Sequence, residues 1–231
     1  MKTRLVVLLF LTTVLAACQA QGPAGNRADF RYQWLSYLQG DDMRATCRAD
    51  GPDRLRLIYN ADFNKEIRTY DLFIADGGTG VLDTRRWISS GNLISLSGGS
   101  LSSLLDGQTG QVSLSAEQVF ELTGLVAESG FPGPVPVGAS LRSDGYFWAG
   151  LACVDGVFGI QVWQGDAMRE IRFAGLLESW DPIAAPLPAA SSASLPPLSS
   201  VIAANRRNKD ASLLYYEAVV EQAAIKGRWR S

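Results

Sequence analysis

Apolar positions recur along this chain with two periods, and the switches between them lay out the expected elements. Asp29 to Leu38 carries Phe30, Trp34, Tyr37 and Leu38 at helical spacing, with Gly40 as a stop. From Met43 the spacing shortens to alternation. Met43–Arg48, Arg54–Asn60, Ile67–Ala75, Val81–Ile88 and Leu93–Ser97 read as short strands. Turn-forming runs separate them at Asp50–Asp53, Asn60–Lys65, Asp76–Gly80 and Ser89–Asn92. Leu101, Leu104 and Leu105 fit one helical turn, and Val112–Leu114 a further strand. Ser115 stands three residues before Gln118, the spacing of a capping box, in front of Val119, Leu122, Leu125 and Val126. A helix is therefore predicted over Ala116–Glu128. The proline-rich stretch from Gly130 to Pro136 ends it, because proline has no amide donor and clashes with the preceding turn.

A second strand block follows. Tyr146–Val154 and Val157–Gln164 flank Asp155-Gly156, a dipeptide suited to two central turn residues with positive φ. The block continues through Met168–Leu177. Ala184 to Ser200 is rich in Pro, Ala and Ser, without charge or period, and reads as a linker or an extended segment lying on the domain. Ala211 to Lys226 returns to helical spacing, with Leu213, Tyr216, Val220 and Ala223 on one stripe and Gly227 as a stop. The expected fold is α+β: an antiparallel β-rich sheet of two strand blocks, one central helix and a C-terminal helix. The expected segments are 29–183 for the main domain, 184–204 for the linker and 205–231 for a basic amphipathic helix.

The first residues follow a different logic. Lys2 and Arg4 precede the apolar run from Leu5 to Leu11, and Leu15-Ala16-Ala17-Cys18 closes it. The run is too short for a membrane span, which needs about 20 apolar residues. A positive start, an apolar centre and small residues before a cut site describe a secretory signal. The closing four residues resemble the lipobox of bacterial lipoproteins. That resemblance covers residues 1–18 alone. It implies removal of residues 1–17, acylation of Cys18 and a tethered domain held by residues 18–28. Each buried methylene adds about 0.8 kcal/mol, so two or three chains anchor stably where one does not. Gln19, where an aspartate favours inner-membrane retention, points to the outer membrane, facing the periplasm.

With Cys18 lipidated, Cys47 and Cys153 remain. In an oxidising compartment such a pair is expected to be bridged, the other reading being two separate buried thiols. A bridge would set the early strands beside the late ones.

Charge and composition then exclude chemistry. Residues 18–231 hold 19 basic and 23 acidic side chains, which leaves no electrostatic footprint for nucleic acid. The absence of histidine removes Ser-His-Asp and Cys-His catalysis and every zinc site that uses histidine. No Ser-x-x-Lys or Gly-x-Ser-x-Gly pattern is present. Gly77-Gly78-Thr79-Gly80 leads into a strand and reads as a turn, not a phosphate cradle. Asp41, Asp42, Asp62, Asp83 and Glu117 are scattered, and Asp62–Glu66 lacks the glycine and final glutamate of a calcium loop. No cofactor, metal or catalytic residue is expected.

The tail offers the one lead. Residues 205–231 carry six basic and three acidic side chains, against 13 and 20 in residues 18–204. Arg206, Arg207, Lys209, Tyr216, Arg228, Trp229 and Arg230 could form a partner-binding surface, for a groove on another envelope protein or for anionic headgroups. Burial of the tail against its own domain, with Trp229 as a plug, is the commoner fate of such stripes. The expected role is a lipid-anchored, non-enzymatic binding or assembly module of the cell envelope. The alternatives are a lipocalin-like carrier of a small apolar ligand and a carboxylate-based glycan hydrolase.

Overall fold

Alternation in the strands buries both faces of a single large sheet. A computed structural model describes residues 27–88, 107–191, 194–208 and 213–230, with side chains from residue 33 on. Cys18 and its surroundings, the expected strand at Leu93–Ser97, the turn at Leu101–Leu105 and Lys209 lie outside the described residues.

The chain enters through helices α1 (Arg27–Gln39) and α2 (Asp41–Thr46). Strands β1 (Asp53–Ala61), β2 (Glu66–Ile74), β3 (Gly80–Ile88) and β4 (Gln108–Leu114) lead to α3 (Ala116–Glu128). Then come the short β5 (Ser140–Arg142), the hairpin β6 (Tyr146–Val154) and β7 (Val157–Gln164), and a 3-10 turn at Gly165–Glu170. Helices α4 (Ala174–Trp180) and α5 (Leu198–Arg207) precede a last hairpin, β8 (Tyr215–Val220) and β9 (Ile225–Arg230).

The fold is α+β with antiparallel sheets. The main sheet has six strands in the order β4-β3-β2-β1-β6-β7, and the second has three in the order β5-β8-β9. Both expected strand blocks thus join one sheet, with β1 of the first beside β6 of the second. Cys47 and Cys153 form a disulfide at that seam, Cα atoms 5.6 Å apart and 106 residues apart in sequence. Among the described residues, strands β4 and β7 are the edges of this sheet. Among the described residues these six strands form an open sheet, not a closed cup. Their inward side chains instead pack against helices and loops on both faces.

One face carries Leu55, Leu57, Tyr59, Tyr70, Leu72, Trp148 and Trp163 and is covered by α3 and α4. Helix α3 starts with the expected capping box, Ser115 and Gln118 satisfying each other's backbone amides, and buries Val119, Leu122 and Val126. The opposite face carries Ile58, Ile67, Phe147, Ala149 and Leu151 and receives Trp34 and Leu38 of α1 with Tyr216, Ala218, Val220 and Ile225 of the small sheet. On this second face Arg54 and Arg56 reach Asp42 and Asp71, with the Arg56 guanidinium 3.6 Å from the Tyr37 ring centre.

Three expectations are corrected. Met43–Arg48 is not a strand: Gly40, at φ 71°, restarts the chain as α2, whose first turn carries Asp41 and Asp42. Met168–Leu177 is not extended, since Phe173 and Leu177, one helical turn apart, are both fully buried across the start of α4. The C-terminal helix is replaced by the β8–β9 hairpin. Tyr216, Ala218 and Val220 alternate into the core, where a helix would turn Ala218 away from its neighbours. Gly227 lies inside β9, where a Cβ would come within 2.6 Å of Leu35 Cδ2. A helix does form, but at Leu198–Arg207, largely within the expected linker.

Candidate functional site

The α3-side face of the sheet holds an aromatic ladder beside a buried ion-pair network. Register sets Tyr59 of β1 opposite Trp148 of β6 and Arg68 of β2. Tyr59 and Trp148 stack with ring centres 4.9 Å apart, and Tyr70 also stacks on Trp148, at 6.2 Å. Phe173 meets the Trp148 ring edge-on at 5.1 Å. Such pairs add to the apolar burial by about 0.5–1.5 kcal/mol each.

Arg68 sits next to this ladder with its side chain fully buried. Its Nη1 donates to Asp181 Oδ2 and to the Ala185 carbonyl, each at 2.7 Å. Its Nη2 donates to Glu66 Oε1 at 2.6 Å, and Glu66 Oε2 accepts from Arg86 Nη2 at 2.8 Å. Tyr70 adds its hydroxyl to Asp181 Oδ2 at 3.1 Å. A buried guanidinium depends on acceptors for its donors: here Nη1 and Nη2 have them, Nε has none among the described residues, and Asp181 supplies a counter-charge from outside the sheet.

Asp181 opens the proline-rich stretch, which is an extended strap bound along the sheet. Proline-rich backbone has carbonyls but few amides, so side chains of the domain serve as donors. Tyr59 Oη donates to the Pro188 carbonyl at 2.5 Å and Arg142 Nη1 to the Pro196 carbonyl at 2.6 Å. Leu187 N donates to Glu178 Oε1 at 2.9 Å. At the other side of the strap Pro182 rests on Gly110 of β4, where a Cβ would stand 2.4 Å from Pro182 Cγ. Residues 184–191 thus lie extended on the domain, while Leu198–Ser200 belong to α5.

Between strap, α4 and the 3-10 turn lies a half-open cleft of about 560 Å³, with Tyr59, Tyr146 and Trp148 at its sheet side. Met168, Ile171 and Leu187 add apolar walls, and Asp166, Arg169 and Glu178 stand at its borders. Its volume falls in the range of small-molecule sites, roughly 300–1,000 Å³. Asp166 pairs with Arg169 at 3.3 Å, both exposed. The arrangement offers stacking, apolar contact and charged groups of both signs.

Burial pushes the Tyr37, Tyr70 and Tyr216 phenols well above the usual tyrosine range. Tyr59 is pushed up to about 12, by burial first and then by Tyr146 and Glu66. These phenols hold their protons more tightly in the fold than in the unfolded chain. Their contribution is complete below the ordinary tyrosine pKa of about 10 and is lost as pH rises above it. Urea midpoints should hold steady from pH 7 to about 9 and then fall steadily towards about 11. A Tyr59→Phe variant should show a shallower fall, and an unchanged slope would remove Tyr59 from this account.

The residues singled out by sequence meet different fates. Cys47 and Cys153 are bridged. Arg206, Arg207 and Arg228 are exposed, and Arg230 pairs with Glu217. Tyr216 is fully buried, and Trp229 packs edge-on against Phe63 and Tyr216 at 5.6 and 5.5 Å. The Tyr216 ring is enclosed in the core under the small sheet, and the Trp229 ring is half-buried at its edge. The scattered carboxylates stay apart: Asp41 accepts from Ser36, Asp42 from Arg54 and Arg56, Asp62 pairs with Lys65, and Asp83 accepts from Gln111. Glu66, Arg68, Arg86 and Asp181 were not legible as a unit. The one available signal was arginine at alternating strand positions otherwise held by apolar residues.

No family model, no curated protein and no solved structure matches this chain.

Proposed function

We propose that this protein is a lipid-anchored, non-enzymatic binding module of the bacterial cell envelope that takes a small amphipathic ligand in the cleft under its proline-rich strap. The observation that carries the reading is the cleft itself: aromatic rings at one side, apolar walls, and Asp166, Arg169 and Glu178 at its borders. The lipobox-like leader supports anchoring through Cys18 at the outer membrane, facing the periplasm. The Cys47–Cys153 disulfide is in keeping with an oxidising compartment. No described helix is long and apolar enough to cross a membrane, so attachment in this reading rests on the lipid. The scattered carboxylates give a glycan hydrolase little support.

The test is native mass spectrometry of the protein purified from its own envelopes. Retained mass of a few hundred daltons, of the size such a cleft holds, is the expected result. Ala190 lines the cleft from the exposed strap. Ala190→Trp should fill the space and cut the retained fraction at least tenfold while leaving the melting temperature near wild type. Retention unaffected by Ala190→Trp would place the ligand elsewhere. A protein partner captured by crosslinking and lost with the same variant would make the module an assembly factor. Protein with nothing bound in either experiment would overturn the reading.

A further inference from the structure

We propose that the outer face of the β8–β9 hairpin, together with the last turn of α5, is the membrane-apposed face of the domain and binds anionic phospholipid headgroups. This rests on the anchoring part of the reading above, not on the cleft. Alternation in β9 turns Gly227 and Trp229 towards α1 and the core, which leaves Lys226, Arg228 and Arg230 on the opposite face. Register places Val219, Glu217 and Tyr215 beside them. Helix α5 ends on the same face, where Asn205 hydrogen-bonds the Tyr215 hydroxyl, and this brings Arg206 and Arg207 close to the Arg230 end of the hairpin.

Two of these five cations are locally compensated, Lys226 by Glu221 and Arg230 by Glu217. Arg206, Arg207 and Arg228 are exposed and have no acidic partner among the described residues. They are excess charge on a chain whose residues 18–204 are net acidic. A fold gains nothing from holding them together, whereas an anionic surface does.

The path of the chain says which surface. Arg44, just beyond α1, donates to the Ala223 carbonyl in the hairpin turn, and Leu35 rests on Gly227. Helix α1 therefore runs antiparallel to β9, and its first turn lies towards Arg230. Nine residue steps separate Cys18 from Arg27, a reach of at most about 30 Å. An acylated Cys18 would hold this basic end of the domain against the bilayer. Lipid anchors are commonly reinforced by such a second, electrostatic contact.

The experiment uses the mature acylated protein reconstituted on vesicles of phosphatidylcholine alone or with about one third phosphatidylglycerol, read by amide hydrogen exchange. On anionic vesicles, residues 198–208 and 225–230 should exchange several-fold more slowly than on neutral ones, and the difference should vanish in high salt. The variant R206E/R207E/R228E, all at exposed positions, should keep the wild-type melting temperature and lose that protection. Equal exchange of these segments on both vesicle types, or protection that survives the triple reversal, would overturn the proposal. Failure of the wild-type protein to float with neutral vesicles would instead overturn the anchor, and the argument for this orientation with it.

Discussion

A chain stopped after Ala204 should fail to fold cooperatively. Such a chain would lose β8 and β9, and with them the buried Leu214, Tyr216, Ala218, Val220 and Ile225. Strand β5, whose strand partner among the described residues is β8, would lose it. Asn60, fully buried in β1, would lose the Tyr216 hydroxyl that its Oδ1 accepts at 3.1 Å. Trp34 and Phe63 would lose the rings of Tyr216 and Trp229 against which they pack. Deleting one large buried side chain costs about 2–5 kcal/mol, and a domain has about 5–15 kcal/mol in all. Several such losses together exceed the whole. Near-ultraviolet circular dichroism should show no fixed aromatic signal, and thermal scans no sharp transition. A truncated chain that melts like the full one would mean that the hairpin is an accessory. It follows that partner binding by this region must be tested with point substitutions, because removal of the tail would abolish binding everywhere.

Asp181→Ala should cost about 3–5 kcal/mol, the usual penalty for breaking a buried pair from one side. Arg68 would keep Glu66, but that carboxylate already serves Arg86. The Tyr70 hydroxyl would lose its acceptor as well. The second consequence is local. Asp181 begins the strap, and its Oδ1 also accepts the Ile183 amide at 2.9 Å. Native-state proteolysis should therefore nick the variant between residues 182 and 191 faster than the wild type. Asp181→Asn keeps the shape and an acceptor and should lose less. Urea midpoints for the three proteins would decide it. A loss under about 1 kcal/mol, as for an exposed pair, would mean that Asp181 is not the counter-charge on which Arg68 depends.

Strand after strand was legible in the amino-acid pattern because local chemistry and tertiary need agree there. Tyr146–Val154, Asp155-Gly156 and Val157–Gln164 form a hairpin with β-branched and aromatic residues around a turn at positive φ, 50° at Asp155 and 76° at Gly156. Ser115 and Gln118 announce α3 in the same way. The cleft and the network behind it were not legible. Tyr59, Trp148 and Pro188 come from three distant stretches, and nothing in the spacing of any one of them says that they meet. Arg68 and Asp181 are 113 residues apart, joined by the route of a strap that carries no periodic signal.

The amino-acid sequence by itself determined the alternating strands, the capped helix, the exclusion of histidine chemistry, the pair of cysteines and the concentration of basic residues at the end of the chain. Those are local or compositional facts, decided by side-chain shape, turn chemistry and counts. Tertiary structure alone decided that Leu214 to Trp229 is a hairpin. Its apolar residues suit a helical stripe nearly as well, and the choice went to the form that fits Trp34, Phe63 and Leu35. It also decided that the proline-rich stretch is bound, since its carbonyls take their hydrogen bonds from side chains that only the fold brings within reach.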